Sequence, residues 1–107
     1  MSELPVTTAW VEFRETLARH IKEITRADPE RLDVAWFFLR YLKRLEKRAQ
    51  ATRSAKDLMG PMRGFTRFYV DMVDQKDELA ERFDDVLQAH RHALRMEHVA
   101  GREDVPN

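Results

Sequence analysis

Four histidines are the side chains of this 107-residue chain best suited to hold a metal ion. His90, His92 and His98 stand two, six and eight residues apart. Helical neighbours share a face at spacings of three or four, so these three do not converge on one ion. His20 and Glu23 have a usable spacing but form a single pair, and the paired Glu-x-x-His motifs of di-iron bundles do not occur. His90 reads as a core histidine on an apolar stripe, and HRHALRMEH as a solvated face. No metal and no other cofactor is expected.

Covalent catalysis finds no better footing. The only serines are Ser2, near the start, and Ser54, among charged residues, and neither has a recognisable histidine and carboxylate beside it. Asp84 and Asp85 are adjacent, so on a helix they diverge. Gly60 and Gly64 do not make a phosphate-binding loop. The absence of cysteine excludes disulfides and thiol chemistry. The chain is therefore expected not to be an enzyme.

One stretch does suggest recognition. GPMRGFTRFY, residues 60–69, interleaves Arg63 and Arg67 with Phe65, Phe68 and Tyr69, with Met62 within it and Met59 just before it. Aromatic rings and methionines rimmed by arginine are enriched at protein interfaces and binding hot spots. The same alternation of cations with stackable rings serves single-stranded nucleic acid. Its plainer reading is a helical seam filled by Phe65 and Tyr69, with Phe68 and the arginines at its edge.

These residues must be positioned by helices. Hydrophobic residues make up 43% of the chain and charged residues 36%, with three glycines and four prolines, a mixture suited to amphipathic helices rather than disorder or a many-turned β fold. Thr7 or Thr8 can cap a first helix in which Trp10, Phe13, Leu17, Ile21 and Ile24 form one stripe, ending near Arg26. Asp28-Pro29-Glu30 reads as the start of a second helix. Ala35, Phe38, Leu42, Leu45 and Ala49 line one flank of it, and Val34, Phe37 and Tyr41 another. That helix is expected to reach about Leu58, with Ser54 a weak point, and to close at Gly60-Pro61. Met62, Phe65, Tyr69, Met72, Leu79, Phe83, Val86, His90 and Leu94 then mark a third helix. It either continues to about Val99 or breaks near residues 74–77, where aspartates can cap a restart. Trp36, Phe37 and Phe38 read as core.

The expected fold is all-α. It is an antiparallel three-helix arrangement dominated by a long helical hairpin of helices two and three, able to dimerise into a larger bundle. Residues 1–107 form one domain, with flexible ends at 1–6 and 101–107. The longest uninterrupted apolar run, residues 34–39, is too short to span a bilayer, and MSELPVTT lacks a signal-peptide pattern, so no membrane association and a cytoplasmic location are expected.

Charge is zero overall but unevenly spread. Residues 34–70 carry nine basic and two acidic side chains, whereas residues 71–107 carry five basic and ten acidic. A hairpin folded about Gly60 sets residue 48 opposite roughly residue 72, so the basic run of residues 40–48 should be matched by the acidic run of residues 71–81. The first helix should leave the hairpin tip uncovered. Met59, Met62, Arg63, Phe65, Arg67, Phe68 and Tyr69 then form a partner-binding surface for another protein or for a second copy of the chain. A small non-enzymatic accessory or regulatory protein is the expected function, and a nucleic-acid-binding protein using the same basic, aromatic tip is the alternative.

Overall fold

A computed structural model describes residues 6–74 and 76–103, and among them all regular structure is helical. Four α-helices pack together: α1 (Thr8–Ala27), α2 (Val34–Ala51), α3 (Met59–Met72) and α4 (Leu79–Glu103). A short 3-10 turn, Ala55–Leu58, leads into α3. Of the expected flexible ends, 1–6 and 101–107, residues 1–5 and 104–107 lie outside the described residues. Gly101 does not end the last helix, which continues to Glu103. Among the described residues no helix is long and apolar enough to cross a membrane.

The first helix begins as its cap dictates: Thr7 Oγ1 accepts the Trp10 backbone N–H at 3.1 Å. It closes at Asp28, which adopts the left-handed conformation (φ 50°) and donates its N–H to the Thr25 carbonyl. Asp28 is thus the end of α1 and not the cap of α2. Helix α2 starts later, after a turn in which the Asp33 N–H donates to the Glu30 carbonyl.

The larger departure is the hairpin bend. Helix α2 stops at Ala51, because Thr52 is extended and its hydroxyl is spent locally: it donates to Asp57 Oδ2 at 2.6 Å and accepts the Ser54 N–H at 3.3 Å. Such short-range bonds compete with the helical ladder. Gly60 and Pro61 fall inside the first turn of α3, where a missing proline N–H breaks no hydrogen bond. No glycine takes a positive φ among the described residues. The chain therefore reverses near residue 53 and not at residue 60. It reverses again between Val73 and Glu78, where Asp77 Oδ1 accepts the Leu79 N–H at 3.0 Å and caps α4. Of the two alternatives left open for the third helix, the break near residues 74–77 is the one found, and it makes four helices where three were expected.

Helix α4 returns antiparallel to α1. Arg82 meets Glu23, Asp85 meets His20, and His90 meets Phe13. The core runs along the bundle through Trp10, Phe13 and Leu17 of α1, Phe38, Leu42 and Leu45 of α2, Phe65 of α3, and Phe83 and Val86 of α4. The bend at residues 52–58 is fastened to α4 by two side chains two turns apart. His90 Nε2 donates to the Ala55 carbonyl at 2.7 Å, and the Glu97 carboxylate accepts the Ser54 hydroxyl at 2.8 Å and the Ala55 N–H.

Candidate binding face on helices α2 and α3

The shifted bend relocates the expected surface. Phe65 is fully buried, Phe68 retains 9% exposure, and Met62 is buried beside them. Phe65 lies against Phe38 at 5.1 Å, Tyr41 at 6.0 Å and Phe83 at 5.2 Å, while Phe68 stacks on Tyr41 at 4.7 Å. Tyr69 is half-buried and lies flat on Phe83, with ring centroids 3.9 Å apart. Met59, Arg63 and Arg67 are exposed. Hence four of the seven residues face α2 and α4 within the monomer, and they do not form one surface with the other three. The uncovered tip was expected because a hairpin closing at residue 60 leaves these rings beyond helix one. Closing near residue 53 instead lays α3 alongside α2, with α4 over the other flank.

The same displacement changes the meaning of the basic run. Residues 41–48 now face residues 60–68, so Asp71 and the acidic side chains after it lie towards the other end of α2. Arg40, Lys43, Arg44, Lys47 and Arg48 are all exposed, and among the described residues none bonds a carboxylate. Arg63 and Arg67 likewise have no acidic partner there. The expected matching is not found: among the described residues no ion pair joins this run to residues 71–81. Two of these guanidiniums are instead placed on rings of their own helix, Arg40 at 4.8 Å from the Trp36 centroid and Arg44 at 5.5 Å from that of Tyr41. Cation–π contact restrains the side chain without using its N–H donors.

Between α2 and α3 runs an open groove of about 360 Å³. Tyr41 and Leu45 form its α2 wall, Pro61 part of the α3 wall, and Arg44 and Arg48 its rim. Gly60 and Gly64, both exposed, stand one turn apart on its α3 side, and a Cβ added to either meets nothing within 4 Å.

A second polar cluster joins α1 to α4. Arg82 Nη1 donates to His20 Nδ1 at 2.9 Å. Arginine only donates, so the imidazole proton belongs on Nε2, which donates to Asp85 Oδ2 at 3.1 Å. Arg82 also bonds Glu23 at 3.2 Å, and Arg19 bonds Asp85 at 3.3 Å. Burial, reinforced by Arg19 and Arg82 against the opposing pull of Asp85, holds the His20 pKa below the usual 6.5. With both ring nitrogens engaged, His20 has no lone pair free to act as a base. His90 is also shifted down by burial, against the opposing effects of its Ala55 hydrogen bond and of Glu97. Spacing alone did not reveal His20–Asp85 or the Glu97 clamp, since each joins residues more than forty apart. Among the described residues no group of three or more histidine and carboxylate side chains is placed to hold a metal ion.

Comparison of the chain with models of protein families, with curated proteins and with solved structures gives no match.

Proposed function

We propose that this chain is a small non-enzymatic module that works by binding another protein through the outer face of α2 and α3. The observation carrying this reading is the row of exposed cations on that face, which has no carboxylate partner among the described residues and borders an open groove. Unspent guanidinium donors beside the half-buried Tyr41 match the enrichment of arginine and aromatic residues at interfaces. Of the surface expected from the sequence, Arg63, Arg67 and Met59 remain available to a partner, while Met62, Phe65, Phe68 and Tyr69 support the face from beneath.

Self-association through this face is opposed by symmetry. A two-fold dimer whose axis passes through the groove sets Arg44 and Arg48 near their equivalents. Nucleic acid is the competing occupant, favoured by the same cations. Against it stands the burial of Phe65 and Phe68, which pack within the monomer and are unavailable for base stacking.

Backbone chemical-shift mapping tests the reading. Acidic, neutral and basic amphipathic peptides of equal length are added to the labelled chain. Shifts concentrated in residues 40–48 and 59–67 with at least one peptide support the face. Shifts confined to α1 and α4, or none with any peptide, contradict it.

A further inference from the structure

We infer that the α2–α3 groove receives an acidic amphipathic segment of its partner, with carboxylates on Arg44 and Arg48 and an apolar side chain over Gly64. The inference rests on the face proposed above and adds the chemistry of what occupies it. Three features converge on that chemistry.

The first is charge. Arg44 and Arg48 are one helical turn apart on the groove rim, where Cβ atoms stand about 5–6 Å from each other. A helical segment with carboxylates at the same spacing presents them to both guanidiniums at once. Arginine suits the task because its planar fork matches a carboxylate with two parallel hydrogen bonds. Arg44 is partly pre-organised by Tyr41, so less side-chain freedom is lost on binding.

The second is the groove's apolar interior. Tyr41 and Pro61, both half-buried, line it between the cations, so the site offers hydrophobic area as well as charge. A phosphate backbone uses only the charge, whereas a leucine flanked by two glutamates uses both. An amphipathic peptide is therefore the better fit of the two polyanions.

The third is Gly64. Glycine within a helix is less stable than alanine, and no neighbouring atom requires its lack of a Cβ. Its missing side chain deepens the groove at the point where an incoming apolar group would sit.

The test titrates the full chain into a fluorescein-labelled helical peptide carrying glutamates four residues apart around a leucine, read by anisotropy at low and at near-physiological salt. Three probes run beside it: the peptide with glutamine for glutamate, the peptide with serine for leucine, and a single-stranded oligonucleotide of equal charge. The glutamate peptide should bind, with affinity falling as salt rises. Arg44→Gln with Arg48→Gln should weaken it about tenfold or more, as should glutamine in the peptide. Gly64→Ala should weaken it several-fold, with the helical circular dichroism retained in every variant.

If the glutamine peptide binds as well and the arginine variants are silent while Gly64→Ala still weakens it, the acidic class is overturned and the face stands. If no peptide binds, or none of the variants alters binding, both readings fall. Tighter binding of the oligonucleotide than of the glutamate peptide overturns the inference in favour of a nucleic-acid ligand. Growth of the particle mass with concentration, abolished by the arginine variants, overturns it in favour of a second copy docked through an acidic surface.

Discussion

Replacing Gly64 with alanine separates the fold from the groove, because the two should respond in opposite directions. Gly64 lies six residues into α3, in ordinary helical conformation and exposed. An ideal Cβ there has nothing within 4 Å, so the change adds no clash. What remains is backbone entropy: alanine in a helix interior is favoured over glycine by about 0.5–1 kcal/mol. For a domain of this size a gain of 1 kcal/mol raises the melting temperature by about 4–8 °C. Gly64→Ala is therefore expected to melt a few degrees higher than the parent chain in a thermal scan followed by circular dichroism, with the same urea m-value. The new methyl group also fills part of the groove, so affinity for the glutamate peptide should drop. A lower melting temperature would refute the reasoning, since it would mean that α3 packs more closely at Gly64 than the open groove allows.

Four further outcomes follow from the same geometry. Phe65→Ala should cost about 3–5 kcal/mol in chemical denaturation, the range for a large buried ring, whereas a surface role would leave stability nearly unchanged. Glu97→Ala removes the acceptor of the Ser54 hydroxyl and Ala55 N–H, and should cost about 1–3 kcal/mol with faster amide exchange confined to residues 52–58. Leu32 has φ 74° at 65% exposure, so Leu32→Asn should raise the denaturation midpoint by relieving left-handed strain worth about 1 kcal/mol. Since the folded-state pKa values of His20 and His90 lie below 6.5, the unfolded chain binds more protons once pH falls under that value. Stability should accordingly be level above about pH 6.5 and decline on acidification through the folded pKa values. His20→Gln should flatten part of that slope in denaturation curves recorded from pH 8 to pH 5.

The sequence was most informative where local and periodic signals agreed. Thr7 and the stripe from Trp10 to Ile24 placed α1, because the cap hydroxyl and the buried face both lie within that helix. The interruption near residues 74–77 was legible for the same reason, as Asp77 caps α4 from its own turn. The bend between α2 and α3 was not. Gly60-Pro61 is the stronger stop by residue type, yet proline and glycine are compatible with a helix's first turn, and the hydroxyl bonds of Thr52 ended α2 earlier. Moving that bend by about seven residues shifted the register along the whole hairpin. It buried the rings that had looked available and left unmatched the arginines that had looked neutralised. Arg63 and Arg67 were recognised as surface cations by sequence alone. Arg44, Arg48 and the groove beside Gly60 and Gly64 needed the register, which depends on contacts between residues distant in the chain.

The claim that matters most is that Arg44 and Arg48 are the groups that meet a partner's carboxylates, and charge exchange measures it most directly. Arg44→Glu with Arg48→Glu is titrated against the glutamate peptide and against its lysine counterpart. This variant should lose the glutamate peptide and gain the lysine one, while the parent chain shows the reverse preference. If both proteins bind either peptide alike, the guanidiniums do not contact the ligand's charges and the assignment of the groove is wrong.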